Sequence, residues 1–309
     1  MTEDLDTCSL QSFSLSQHEP GKFVTKSVYL LPEIKVVQIG ICYVNKNSFC
    51  HIKESKSVNY PKNSIATKMN MMKVNMTETK ILNSLGFITN PFLISMKYAI
   101  PGSGVMFILS EYMPETLFNM MERLKLKRLD LKDDYIIILS RQLMSGLKYL
   151  HDLDYAHCNI NPRDIFVDIT EVRLKISNFF YLRKIGADLP TVTSIGTQLY
   201  RAPELFLKNP IYGTFIDVWS AGCVIALMIL QKPIFKEDSI RSIFYLIGFP
   251  LREKSTNSFR NDPEAENNLS KIITNPYFAN LLSLIFDYDY KKRITAAGVL
   301  EILNENKMI

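Results

Sequence analysis

The chain has 309 residues, 47% of them hydrophobic and 22% charged, with a formal net charge of +5. That length buries one large core or two smaller ones, and the balance of apolar to charged residues excludes an intrinsically disordered chain. The cations are scattered and dense only at Lys125 to Arg128 and Lys291 to Arg293, so the composition does not point to nucleic-acid binding.

In chain order, the first 21 residues are acidic and Ser-rich, without a basic or apolar leader pattern, and a flexible tail is expected over 1–21. KFVTKSVYLL, EIKVVQIGICYV, NSFCHIKE and NSIATKM follow; they are rich in Val, Ile, Thr and Tyr, are separated by Pro, Asn and Lys clusters, and read as antiparallel strands. MTETKILNSLGF has apolar residues near helical spacing and Gly86 where a helix would stop. Beyond the connector EYMP at Glu111 to Pro114 the pattern becomes helical, in PETLFNMMERLKLKRL, DDYIIILSRQLMSGLKYLHDL, TFIDVWSAGCVIALMILQ, FANLLSLIFDYDY and TAAGVLEILNEN. The longest apolar run, Ala221 to Leu230, is too short to cross a bilayer, so no membrane association is expected. Cys8, Cys42, Cys50, Cys158 and Cys223 are odd in number and show no CxxC pairing. They fit a reducing, intracellular compartment, cytoplasmic or nuclear.

YRAPEL at Tyr200 to Leu205, followed by IDVWSAGCVIALMIL, resembles the activation-segment end and central helix of a eukaryotic protein kinase, and IATKM resembles the strand with the ATP-binding lysine. EYMPETLF, VTSIGTQLYRAPEL and ALMILQKPIF are similar to the shaggy, or glycogen synthase kinase, family of the CMGC group. The resemblance implies an α+β, bilobal fold. A small antiparallel β lobe with one main helix would cover 22–110, a hinge 111–114, and a larger, mostly helical lobe 115–309. It places Lys68, its ion-pair partner Glu78, Gly40 of a glycine-rich loop, and Glu111 and Met113 of the hinge at the nucleotide. His157 and Phe179 would stack with Leu82 in an internal spine, Glu204 would pair with Arg293, and Asp217 would hold the catalytic-loop backbone.

The chemical positions depart from the family. Phosphoryl transfer needs a carboxylate to accept the substrate proton, a lysine beside the phosphates and carboxylate-bound metal. In YAHCNINPRDIFVD, Asn159 stands at the base position, Asn161 at the phosphate-lysine position and Asp164 where the family has a metal-binding asparagine. Asn178, Phe179 and Phe180 stand at the metal-binding Asp-Phe-Gly triplet. An amide takes up no proton at useful pH, and its oxygen is a poor substitute for a carboxylate on Mg²⁺. The activation-loop tyrosine position is Ser194, and the three cations of the family's primed-substrate pocket map to Thr77, Cys158 and Arg183. DSIRSIFYLIGFP is about four residues, roughly one turn, shorter than the family's scaffold-docking segment. A protein acting through partners on its C-lobe surface, binding ATP weakly and lacking a secure Mg²⁺ site, is expected. An active Ser/Thr kinase using Lys68, Asp164 and a displaced carboxylate such as Asp168 remains the alternative.

Overall fold

The computed structural model describes the backbone of residues 22–23, 28–30, 35–37, 39–44, 49–54, 66–75, 90–101, 105–186, 195–207, 212–237, 239–253, 258–260 and 266–305. Side chains are described for 90–95 and for most of these stretches from 110 onward. The chain divides into two compact units, Met1–Thr89 with Ile94–Met113, and Asn90–Leu93 with Pro114–Ile309.

The strands of the first unit are β1 (Lys22–Phe23), β2 (Val28–Leu30), β3 (Lys35–Val37), β4 (Ile39–Val44), β5 (Phe49–Glu54), β6 (Ala66–Asn75), β7 (Met96–Pro101) and β8 (Val105–Glu111). They form one antiparallel sheet in the order β1-β4-β5-β6-β8-β7-β2-β3. β6 runs well past the NSIATKM stretch, because Met72 and Val74 pair with Ile108 and Met106 of β8. The β7–β8 pair is an element the sequence pattern did not separate. VMFILSE is a continuous apolar run without alternation, and such runs do not distinguish strand from buried helix. The helix expected over 76–87 lies outside the described residues.

The second unit begins with β9 (Glu115–Thr116) and α1 (Leu117–Lys127). The sequence pattern suggested a helix from Pro114. Instead, Glu115 and Thr116 are drawn into a strand against Val167 and Phe166, and the Thr116 hydroxyl caps the helix by accepting from the Asn119 N–H. Next come α2 (Asp133–Asp152), β10 (Tyr155–Ala156), β11 (Ile165–Asp168), β12 (Arg173–Ile176) and β13 (Arg183–Lys184). β11 pairs with β12 and β9, and β10 with β13. Then follow α3 (Thr214–Leu230), α4 (Ile240–Ile247), α5 (Leu269–Ile272), α6 (Pro276–Ile285) and α7 (Ala296–Glu305).

The core of this unit lies around α3, in which every residue from Ile216 to Met228 is buried. α2 presents Ile136, Leu139, Leu143, Leu147 and Leu150 at helical spacing and packs against α3, α7 and β12. Gly146 permits that approach: a Cβ there would stand 2.9 Å from Ile176 Cδ1 and 3.2 Å from the Phe92 carbonyl. α6 starts earlier and stops earlier than FANLLSLIFDYDY suggests. Asn275 caps it ahead of Pro276, and after Ile285 the chain turns so that the Asp287 carbonyl can accept from the Arg293 guanidinium. Among the described residues no helix is long and apolar enough to cross a membrane.

Candidate functional site

The stretch 157–164 links β10 to β11 and is held from below by α3. Asp217, in the first turn of that helix and 1% exposed, accepts the His157 N–H at 2.7 Å on one oxygen and the Cys158 N–H at 2.8 Å on the other. His151 Nε2 lies 3.0 Å from the same carboxylate. These charge-assisted bonds stabilise Cys158 in a left-handed conformation (φ 66°), which costs an ordinary side chain about 1–3 kcal/mol. His157 is fully buried, with Nε2 2.9 Å from the Ser177 carbonyl and its ring edge-on to Phe179 at 5.7 Å. Its Nδ1 accepts the Asn159 N–H at 3.3 Å, so the neutral ring protonated on Nε2 satisfies both contacts. His157 is therefore a core residue. Its Phe179 contact is the one the resemblance implies; Leu82 lies outside the described residues.

Three of the predicted site residues converge on the carboxylate of a fourth, Asp164. Asp164 Oδ2 accepts from Asn159 Nδ2 at 2.8 Å and from Asn161 Nδ2 at 2.6 Å, and the Asn178 side-chain amide donates to the same carboxyl. Asn161 Nδ2 also reaches the Asn159 carbonyl at 2.9 Å, and its Oδ1 accepts the Arg163 N–H at 2.9 Å, a local turn that asparagine forms readily. The Asp164 backbone carbonyl accepts both N–H and hydroxyl of Ser177, at 2.9 and 2.8 Å, fixing the two segments to each other. Burial pushes the Asp164 carboxyl above the usual range, and the amides of Asn178, Asn161 and Asn159 pull against that shift. Asn178 has φ 62° and ψ 62°, a left-handed geometry that asparagine tolerates, and its Oδ1 is buried with no partner among the described residues. Phe180, two positions along, stands where the family's triplet has a glycine, the residue that would permit unusual backbone angles. They fall at Asn178, and Phe179–Tyr181 is a short 3₁₀ turn.

Thr197, a residue the sequence reading did not single out, donates its hydroxyl to Asn159 Oδ1 at 2.6 Å. Both functional groups of the Asn159 amide are thus engaged. Around Thr197 the segment is anchored by Ser220, whose hydroxyl donates to the Tyr200 carbonyl at 2.7 Å, and by a buried fork in which Arg293 meets Glu204 at 2.6 and 2.9 Å. Asp168 is taken up by a turn: one oxygen accepts from the N–H and hydroxyl of Thr170 and the N–H of Glu171, the other from Arg173. Those contacts, the Thr170 hydroxyl first, hold its carboxyl below the usual range.

Lys68, Gly40, Glu111 and Met113 belong to the sheet unit. Lys68 lies on β6 opposite His51, and Gly40 lies on β4 where the register with β5 shifts between Ile39 and Cys42, an irregularity glycine accommodates. Glu111 closes β8, accepting the Ser95 N–H on its carboxylate at 2.7 Å, and Met113 is fully buried. Glu78, Thr77 and Ser194 lie outside the described residues. Cys158 is 3% exposed, burial pushes its thiol up, and Arg183 is half-buried on β13.

Residues 41–303 match the profile of the protein kinase domain. The chain belongs to the protein kinase family. Over 224 residues it is 30% identical to cyclin-dependent kinase 1 of Encephalitozoon cuniculi, covering 67% of this chain and 74% of that protein. It is 29% identical over 191 residues to glycogen synthase kinase 3 of Trypanosoma brucei brucei, covering 57% of this chain and 54% of the relative. With the protein kinase gsk31 of Schizosaccharomyces pombe it shares 38% over 147 residues, 46% of this chain and 39% of the other. The relatives are thus CMGC-type kinases, and the match to two of these three spans little more than half of their length or less. Kinase domains of this kind typically use ATP and Mg²⁺.

Proposed function

We propose that this protein is a shaggy-type pseudokinase: a protein-kinase fold that no longer transfers phosphate and works by binding partner proteins in the cytoplasm or nucleus. The observation that carries the reading is the direction of the hydrogen bonds at Asp164. Its carboxylate is the acceptor for three side-chain amides, and the amide at the base position is itself engaged on both its groups by Asp164 and Thr197. A phosphotransferase needs the reverse polarity, with a carboxylate free to take a hydroxyl proton and others free to coordinate a metal. The fit to Mg²⁺ is poor on the same grounds. Three N–H groups compete with a hard cation for the Asp164 carboxyl, and Asn178 offers a neutral oxygen. The carboxylate proposed as a substitute, Asp168, is committed to its turn.

What the loop does supply is shape. Asp217, His157 and the Asp164 network bind together β10, β11, α3 and the 177–179 segment through the protein's own hydrogen bonds. Partner binding finds support on the surface after α3, where Tyr245 and Phe249 are 81% and 68% exposed on and just beyond α4. Nucleotide binding through Lys68 and Glu78 is proposed to be weak and indifferent to Mg²⁺. A thermal-shift titration with ATP, with and without Mg²⁺, tests this, because a ligand held by the native state raises its stability. A small shift unchanged by Mg²⁺ is expected. A large Mg²⁺-dependent shift would favour the active-kinase reading.

A further inference from the structure

Arg163 and Asp164 are adjacent in the loop and are used differently. The Asp164 carboxyl accepts from three amides, whereas Arg163 is exposed. Exposure has not left Arg163 loose. Its N–H donates to Asn161 Oδ1 at 2.9 Å, and the carbonyl of the residue before it, Pro162, accepts the Phe118 N–H at 2.9 Å. These bonds tie the loop to the first turn of α1, where the Arg163 guanidinium carbon lies 3.6 Å from the centre of the half-buried Phe118 ring. At that distance the flat group rests on the ring, a contact that restrains a long side chain without consuming its N–H donors.

Two other arginines of this unit lie over rings, and both use their donors inside the protein. Arg201, 5.5 Å from the Phe206 ring, donates to the carbonyls of Ile195 and Gly196. Arg293, 4.9 Å from the Trp219 ring, donates to Glu204. The Arg163 guanidinium differs: among the described residues it has no hydrogen-bond acceptor and no ion-pair partner. The carboxylates closest in sequence to its contacts do not fill that role. Glu115 is paired with Arg123, Asp164 is engaged by the amides, and Glu122, one turn beyond Phe118, is exposed and in no ion pair. Arg163 also stands within electrostatic reach of the 195–201 segment. Burial pushes the Tyr200 hydroxyl up, Cys223 adds to the shift, and Arg163 pulls against it.

We infer that Arg163, on its Phe118 platform, is an anchor for an anionic side chain, carboxylate or phosphate, of a bound protein segment. The occupant follows from the donors and not from a surplus of charge. A planar fork held in place with its N–H groups unused matches the paired oxygens of a carboxylate or phosphate, and less freedom is lost on binding because the fork is already oriented. That a protein supplies the anion rests on the partner-binding reading. In an active kinase the same anchor would select substrates, so a phosphotransfer assay and a binding assay answer separately.

The test selects binders of the immobilised full chain from a displayed library of random dodecapeptides, in parallel with Arg163→Gln. Wild type is expected to select a motif with Asp or Glu at one fixed position, and Arg163→Gln to lose that position. A synthetic peptide of the motif should then bind about threefold or more weakly, the modest effect of one exposed pair, when its acid is replaced by the amide or when Arg163→Gln is the receptor. Phosphoserine at the same position should bind at least as well as the acid. The two losses should not add, because both remove one contact. Arg128→Gln, which removes an exposed arginine at the far end of α1, should leave binding unchanged. Melting temperatures verify folding; if Arg163→Gln melts early, Arg163→Lys keeps the stem over Phe118 without the fork and should also bind more weakly. A wild-type selection with no acidic position, additive losses, or an equal loss from Arg128→Gln would overturn the proposal. So would inorganic phosphate binding as tightly as the peptide, since the site would then serve free anions.

Discussion

Replacing Asn159 by aspartate returns the base position to the family's residue, and the geometry predicts that this single step harms the protein. The new carboxylate would stand where Nδ2 now lies, 2.8 Å from Asp164 Oδ2. A donor becomes a second anion. At that separation and an effective dielectric constant of about 20, the repulsion between two full charges is roughly 6 kcal/mol. The pair would take up a proton instead of bearing all of it, as carboxylates sharing a site do, leaving a net cost of about 2–4 kcal/mol at neutral pH. For a chain of this size that corresponds to a fall of roughly 3–6 °C in melting temperature. The shared carboxyl has a raised folded-state pKa, so its contribution is intact at acid pH and lost as pH rises; the deficit should shrink below about pH 5. The double variant Asn159→Asp with Asp164→Asn restores one carboxylate facing amides and should recover to within about 1 kcal/mol of the starting protein. Thermal melts across pH measure all three. An Asn159→Asp protein as stable as wild type, or a double variant no better than the single, would refute the polarity argument.

Asp164→Asn alone leaves the Asn159 and Asn161 amides competing for one carbonyl oxygen and should cost about 1–3 kcal/mol in denaturant melts. Because burial raises the Asp164 carboxyl, its contribution is full below the unfolded value and lost as pH rises through the folded one. The wild type's advantage over this variant should therefore narrow with rising pH, and a gap that widens would contradict the assignment. Arg293→Met strands Glu204, whose side chain is 3% exposed, and should cost about 3–5 kcal/mol in a urea midpoint series; a loss under about 1 kcal/mol would show that the fork is dispensable. With Thr77 and Cys158 uncharged and Arg183 alone, phosphorylating a serine four residues downstream in a test peptide should change its affinity by less than tenfold, about 1.4 kcal/mol. A larger preference in calorimetry that Arg183→Ala abolishes would show a working phosphate pocket.

Much of the scaffold could be read from residues. The Glu204–Arg293 fork, the Asp217 clamp on the loop backbone and the His157–Phe179 contact sit where the resemblance put them. α2 and α3 were legible because their apolar spacing is long and regular. Their neighbours were less so, for local reasons. Glu115 and Thr116 have a strand partner in β11 that no local pattern reveals, and the end of α6 depends on Arg293 drawing the Asp287 carbonyl out of the helix. In the site, Asn159, Asn161, Asp164 and Asn178 were each read as a separate loss. Their convergence needs the 177–179 segment folded against the loop, which spacing does not show, although an Asn-x-Asn-x-x-Asp pattern in a tight turn signals side chains able to bond one another. The Thr197 bond to Asn159 spans 38 positions and leaves no sequence trace. The nucleotide positions Lys68, Gly40 and Glu78 rest on the sequence alone for their chemistry.

The measurement that bears most directly on the central claim is transfer of radiolabelled γ-phosphate by the purified full chain, to itself and to generic Ser/Thr substrates, with Mg²⁺ and separately with Mn²⁺. The account predicts incorporation no greater than that of Lys68→Met, for wild type and equally for the Asn159→Asp, Asp164→Asn double variant, because Asn161 and Asn178 still deny the reaction its lysine and its metal ligand. Metal-dependent incorporation above the Lys68→Met control would contradict it.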